Sequence, residues 1–111
     1  MNGKEFVEYH LSTVTKMNEI CRAKNQDYSG GEDTDAFNNF KMVEKMGIAS
    51  VEQGFLTRMT DKMMRISNIV SSGKAAVKDE SVEDTLLDLA NYSILFAGYL
   101  KSKREEQEFQ R

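Results

Sequence analysis

Proline is missing from this chain of 111 residues, and with it the residue that most readily breaks a helix. Glycines fall between periodic segments at 30, 31, 47 and 73, as expected of an all-helical domain. Cysteine occurs once, as Cys21, so no internal disulfide can form. That fits a reducing cytoplasm, where a lone cysteine in an apolar helical pattern ordinarily serves as a small core residue. No apolar run reaches the roughly 18 residues of a membrane span, and the N-terminus has no signal-peptide pattern. A cytoplasmic protein with no membrane contact is therefore expected. Positive charge is not in excess: the net charge is -3 and the isoelectric point about 5.2, which argues against general nucleic-acid binding. Histidine is also single, His10, so zinc has no ligand cluster. Neither a glycine-rich phosphate loop nor a Ser-His-Asp arrangement is present.

What is present is helical periodicity. Apolar residues recur at helical spacing from Lys4 to Asn25, through Phe6, Val7, Leu11, Val14, Met17 and Ile20. The stretch Asp27 to Thr34, with paired glycines, reads as a loop. A short helix is expected from Asp35 to Met46, with Phe37, Phe40 and Val43 inward and Gly47 as its stop. Ser50 with Gln53 makes a capping box for a third helix ending at Ser72, before Gly73. Its core stripe is Val51, Phe55, Leu56, Met59, Met63, Ile66 and Val70. Ser81 with Asp84 opens a fourth helix that runs past Lys103. The spacing predicts one all-α domain over residues 1–111, a four-helix array whose last helix is long and mostly buried. That helix is apolar around nearly its whole circumference and needs cover on every side. Three short partners do not supply it, so a homo-oligomer joined through this helix is expected.

Three polar groups stand out against this frame. On the fourth helix Asp84, Asp88 and Asn91 stack one turn apart, beside an uncharged segment that continues to Leu100. Asp84 can be a cap and no more, but Asp88 lies past the first turn and needs either a cation or a hard metal ion. On the third helix Arg58, Asp61, Lys62, Arg65 and Asn68 share a face. It reads either as a solvated charge ladder or as a phosphate-binding strip, since arginine offers a planar fork that matches phosphate oxygens. The third group is Lys24-Asn25-Gln26-Asp27-Tyr28, followed by Asn38, Asn39, Phe40 and Lys41. A tyrosine and two lysines around a glycine loop suit a base and a phosphate. The alternative is a dipole-complementing lysine, a turn-forming Asp27 and a core tyrosine.

Taken in order, Lys24-Asn25-Gln26-Asp27-Tyr28, Asn39-Phe40-Lys41, Asp61-Lys62-Met63-Met64-Arg65-Ile66 and the block Glu80 to Tyr92 resemble the nucleotide modification associated domain 1 family. This is a small helical domain common in bacteriophages and prophages, and the resemblance spans roughly residues 20–98. A more distant resemblance is to the MazG-type all-α nucleotide pyrophosphohydrolases, which hold Mg²⁺ between acid pairs on two helices. Here Glu80-x-x-Glu83 and Asp84-x-x-x-Asp88 supply carboxylates on the fourth helix. The third offers only Asp61 where that family places two or more acids, and the spacing from Asp84 to Asp88 is one residue longer than E-x-x-D. These resemblances imply a nucleotide or nucleotide-derived ligand. As a phosphoanhydride hydrolase, the chain would bind Mg²⁺ through Asp61, Asp84 and Asp88, with Asp61 and Asp88 catalytic. Lys62 and Arg65 would face the phosphates, Lys24 and Tyr28 the base end, with Asp27, Lys41, Arg58 and Asn91 as further ligand contacts. As a binding protein it would sequester a nucleotide on the same strip without turnover. A third reading is a small acidic inhibitor of a host protein.

Overall fold

The computed structural model describes residues 1–75 and 81–110. Among these, all regular structure is helical: α1 (Gly3–Ser29), α2 (Asn38–Lys45), α3 (Val51–Ser72) and α4 (Val82–Phe109). The chain forms two compact units, Met1–Asn39 and Phe40–Arg111.

In the first unit, α1 begins at an Asn2 capping box: Glu5 N–H donates to Asn2 Oδ1 at 2.9 Å, and Asn2 N–H donates to Glu5 Oε2 at 2.9 Å. The helix outruns the expected stop at Asn25. Asp27 and Tyr28 continue the backbone ladder until Gly30, the first residue that takes the left-handed cap conformation at low cost, with φ 88°. The loop beyond is tied down at Gly31, whose carbonyl accepts from Asn25 Nδ2 and from Thr34 Oγ1, each at 2.9 Å. Of the apolar stripe on α1, Met17 is buried while Phe6, Val7, Leu11 and Val14 are exposed. Cys21, expected in a core, is exposed as well. The reason is elementary: the unit contains no second long helix against which α1 could bury a face.

In the second unit α2 is shorter than its expected span of Asp35–Met46, and Gly47 turns the chain with φ 72°. Both anticipated capping boxes are present, Ser50 with Gln53 and Ser81 with Asp84, and Gly73 ends α3 in the left-handed conformation. The Val51 N–H is also met from α2, by Glu44 Oε2 at 3.1 Å. α3 and α4 pack antiparallel, as their paired contacts show: Glu52 meets Lys103 near one end, and Arg65 meets Thr85 near the other. The core is aromatic. Phe55 lies fully buried between Phe40 and Phe96, with ring centroids 3.9 and 4.7 Å apart and nearly parallel planes. Two expectations about burial are corrected here. Thr85 is the buried residue of α4, whose apolar side chains are otherwise half-buried or exposed. And the stripe assigned to the core of α3 divides: Val51 and Phe55 are buried, whereas Leu56, Met63 and Val70 are exposed. One antiparallel neighbour covers one flank of a helix and leaves the others open.

Candidate functional site on the seam between α3 and α4

The polar end of the hairpin is assembled from two turns of α3 and two of α4. Lys62 Nζ stands 3.4 Å from Asp88 Oδ2, both side chains about one quarter exposed. One turn along, Arg65 Nη1 donates to Thr85 Oγ1 at 2.7 Å. The Thr85 hydroxyl is fully buried and donates in turn to the Ser81 carbonyl at 3.3 Å. A hydroxyl has one proton to give, and here it goes to the backbone, so the oxygen is left oriented as an acceptor for the guanidinium. Nothing in the sequence marked Thr85. A threonine at the close of a helix's first turn is usually read as packing, and its use shows only once Arg65 is seen above it.

The other predicted residues distribute as follows. Asp84 is exposed and accepts from the Ser81 N–H at 3.3 Å, which is the capping alternative. Asp61 is exposed on α3 and lines a shallow groove with Gln53, Leu56, Thr57 and Thr60. Arg58 is exposed, while Asn91 is half-buried one turn beyond Asp88. Among the described residues, no three His, Cys, Asp or Glu side chains form a group able to hold a metal ion. Asp61, Asp84 and Asp88 are therefore not gathered into one ligand set within this chain, and Asp84 and Asp88 already engage a backbone N–H and an ammonium. Glu83 is exposed in the first turn of α4, and Glu80 lies outside the described residues. In the first unit Lys24, Asp27 and Tyr28 share the last turns of α1, all exposed, so Tyr28 is not a core residue.

Lys41 belongs to a different place, a cleft of about 240 Å³ at the N-terminal end of α3, which it lines with Lys45, Tyr99, Ser102 and Lys103. Val51 and Arg65 are 14 residues apart, so this cleft lies about 20 Å along α3 from the Arg65 contact. Here Lys103 Nζ donates to Glu52 Oε1 at 3.2 Å, a hydrogen bond that lowers the Glu52 pKa and raises that of Lys103. Burial pushes the Tyr99 phenol up, and the Glu52 carboxylate beside it adds to the shift.

The sequence profile of nucleotide modification associated domain 1 matches residues 24–97, about two thirds of the chain. The chain belongs to this family. Within the nucleotide modification associated domain lie both halves of the seam, Arg58 to Arg65 and Asp84 to Asn91, together with Lys24, Asp27, Tyr28 and Lys41. Tyr99 and Lys103 fall beyond it. No curated protein and no solved structure matches the chain. No helix among the described residues is long and apolar enough to cross a membrane.

Proposed function

We propose that this nucleotide modification associated domain binds the phosphate end of a nucleotide or nucleotide-derived molecule along α3, without turning it over, in the cytoplasm of a bacterial host. The observation that carries the reading is the paired fixation of two cations, Lys62 on Asp88 and Arg65 on the buried hydroxyl of Thr85. Cations held in place lose little side-chain freedom when an anion arrives. Lys62 can exchange one oxyanion, the Asp88 carboxylate, for another, a phosphate oxygen. Formal charge on the strip is balanced, with Arg58, Lys62 and Arg65 against Asp61, Asp84 and Asp88. Recognition then rests on geometry and not on a net positive field. A Mg²⁺-dependent phosphoanhydride hydrolase has less support, because its three implied carboxylates do not form one ligand set.

Calorimetric titration and thermal-shift measurement with a panel of nucleoside mono-, di- and triphosphates, with and without Mg²⁺, test the proposal. At least one nucleotide should raise the melting temperature. Arg65→Ala should weaken its binding about tenfold or more, the loss of one charge-assisted contact. Asp88→Asn separates the two readings. Releasing Lys62 from its carboxylate should preserve or tighten nucleotide binding, whereas loss of a metal ligand would abolish phosphate release. Turnover of any panel member by the wild type, lost in Asp88→Asn, would overturn the non-catalytic reading.

A further inference from the structure

All the charge on α3 between Gln53 and Ser72 belongs to Arg58, Asp61, Lys62 and Arg65, which fall within about 100° of the helix circumference. On α4 the stretch from Thr85 to Leu100 carries a single charge, Asp88. This is a chain in which 30% of residues are charged, and a solvent-facing helix ordinarily puts its charges outward.

The uncharged flanks of the two helices lie on the same side of the hairpin. Phe55 and Arg65 of α3 meet α4, and Thr85, Phe96 and Tyr99 of α4 meet α3. One residue further on come Leu56 and Ile66, and Leu86, Ala97 and Leu100. Because the right-handed helices run antiparallel, a forward step of about 100° carries both to one side. A backward step leads to the other side, toward Asp84. On the forward side Leu56, Met63, Val70, Leu86 and Leu100 are 37% to 72% exposed. Leu56, Met59, Met63, Ile66 and Val70 alternate by three and four residues, the spacing of a helix-packing seam. Leu56 to Val70 and Leu86 to Leu100 each span 14 residues, so the two ridges have the same length of about 21 Å.

We infer that this side of the hairpin is the interface of a homodimer, covered by the same side of a second copy. A two-fold contact sets a surface against itself, so any charge on it would face its own like. Between Leu56 and Val70 and between Leu86 and Leu100 this surface carries none, and the charges that flank it are Glu52 and Arg104 at one end. Two hairpins with ridges of equal length stack into a four-helix bundle, and a methionine- and leucine-rich patch depleted of charge has the composition of a homodimer interface. The need is also visible. Within Phe40–Arg111 the buried apolar side chains among the described residues are Phe40, Val51 and Phe55, a small core for a unit of that length. The expectation of an oligomer joined through the last helix is thereby extended to α3. None of this rests on nucleotide binding, so either reading can fail alone.

Sedimentation equilibrium of the full chain at micromolar concentration should return twice the 12.7 kDa chain mass. Met63→Glu brings a carboxylate into the interface of each copy and should weaken self-association about 100-fold or more, with helicity retained. Leu11→Glu, on the exposed stripe of α1, should leave the dimer intact. If Met63→Glu fails to fold, the melting temperature of the wild type decides, since it should rise with protein concentration. The inference is overturned by a monomeric wild type or a concentration-independent melting temperature. It is equally overturned by a dimer indifferent to both Met63→Glu and Leu86→Glu, or by one broken at Leu11 and not at Met63, which would assign the contact to α1.

Discussion

The two ends of the α3–α4 hairpin are built from the same helices and held by different forces. At one end Phe40, Phe55 and Phe96 stack with nearly parallel rings around a side chain that water does not reach. At the other, the contacts are a guanidinium on a hydroxyl and an ammonium on a carboxylate. The apolar area buried in the stack holds the helices together without offering a polar ligand a directional contact, and the polar groups at that end, such as Lys103 on Glu52, lie outside the stack. The polar end contributes less to folding, but its groups have fixed donors and acceptors. The hairpin therefore separates cohesion from recognition by about 15 Å, the rise along α3 from Phe55 to Arg65.

The largest expected effect that bears on this contrast is Phe55→Ala. Emptying the centre of the stack should cost about 3 to 5 kcal/mol, read from a urea denaturation midpoint, and leave a marginal fold. Thr85→Val keeps the shape and removes the hydroxyl. It should cost about 1 to 2 kcal/mol and weaken nucleotide binding in the same step, because the Arg65 guanidinium loses its contact with the hydroxyl. If Thr85→Val proves the more destabilising of the two, the division between cohesive and recognising ends is wrong. The smallest effect is pH dependence at Glu52. Its folded pKa is depressed by the Lys103 hydrogen bond, so its contribution is present above the ordinary glutamate pKa of about 4.3 and is lost as pH falls through the lower, folded value. Lys103 shifts upward, so its contribution is complete below the ordinary lysine pKa and fades only as pH rises through the higher folded one. The pair is thus intact across neutral pH. In melting temperatures followed into acid, Glu52→Gln should start slightly below the wild type at pH 7 and descend less steeply, because the small contribution that acid removes is already gone.

Much of the local structure was legible in the residues because it is decided locally. The Ser50–Gln53 and Ser81–Asp84 capping boxes and the stops at Gly47 and Gly73 each depend on side chains within three or four positions. The end of α1 was not legible. Asp27 leans toward turns by propensity, yet a helix already under way continues until a residue tolerates the left-handed cap. Burial was legible only as a stripe. The period of Val51, Phe55, Leu56, Met63 and Val70 says that these residues share a broad face. It does not say that α4 covers the first two and leaves the others exposed. The pairing of Asp88 with a cation of α3 could be anticipated from charge and position, and Lys62 is that cation. The buried hydroxyl beneath Arg65 could not, because threonine announces neither burial nor partner.

That hydroxyl ties two events together. The Ser81 carbonyl to which Thr85 donates also accepts the Thr85 N–H at 3.3 Å, in the first turn of α4. Fraying of that turn rotates the oxygen away from the Arg65 guanidinium and breaks that contact; a ligand that steadies Arg65 over Thr85 holds the turn wound. Deuterium uptake at the Thr85 amide thus serves as a clock on the arginine, slowing when the seam is filled and running fast when it is empty.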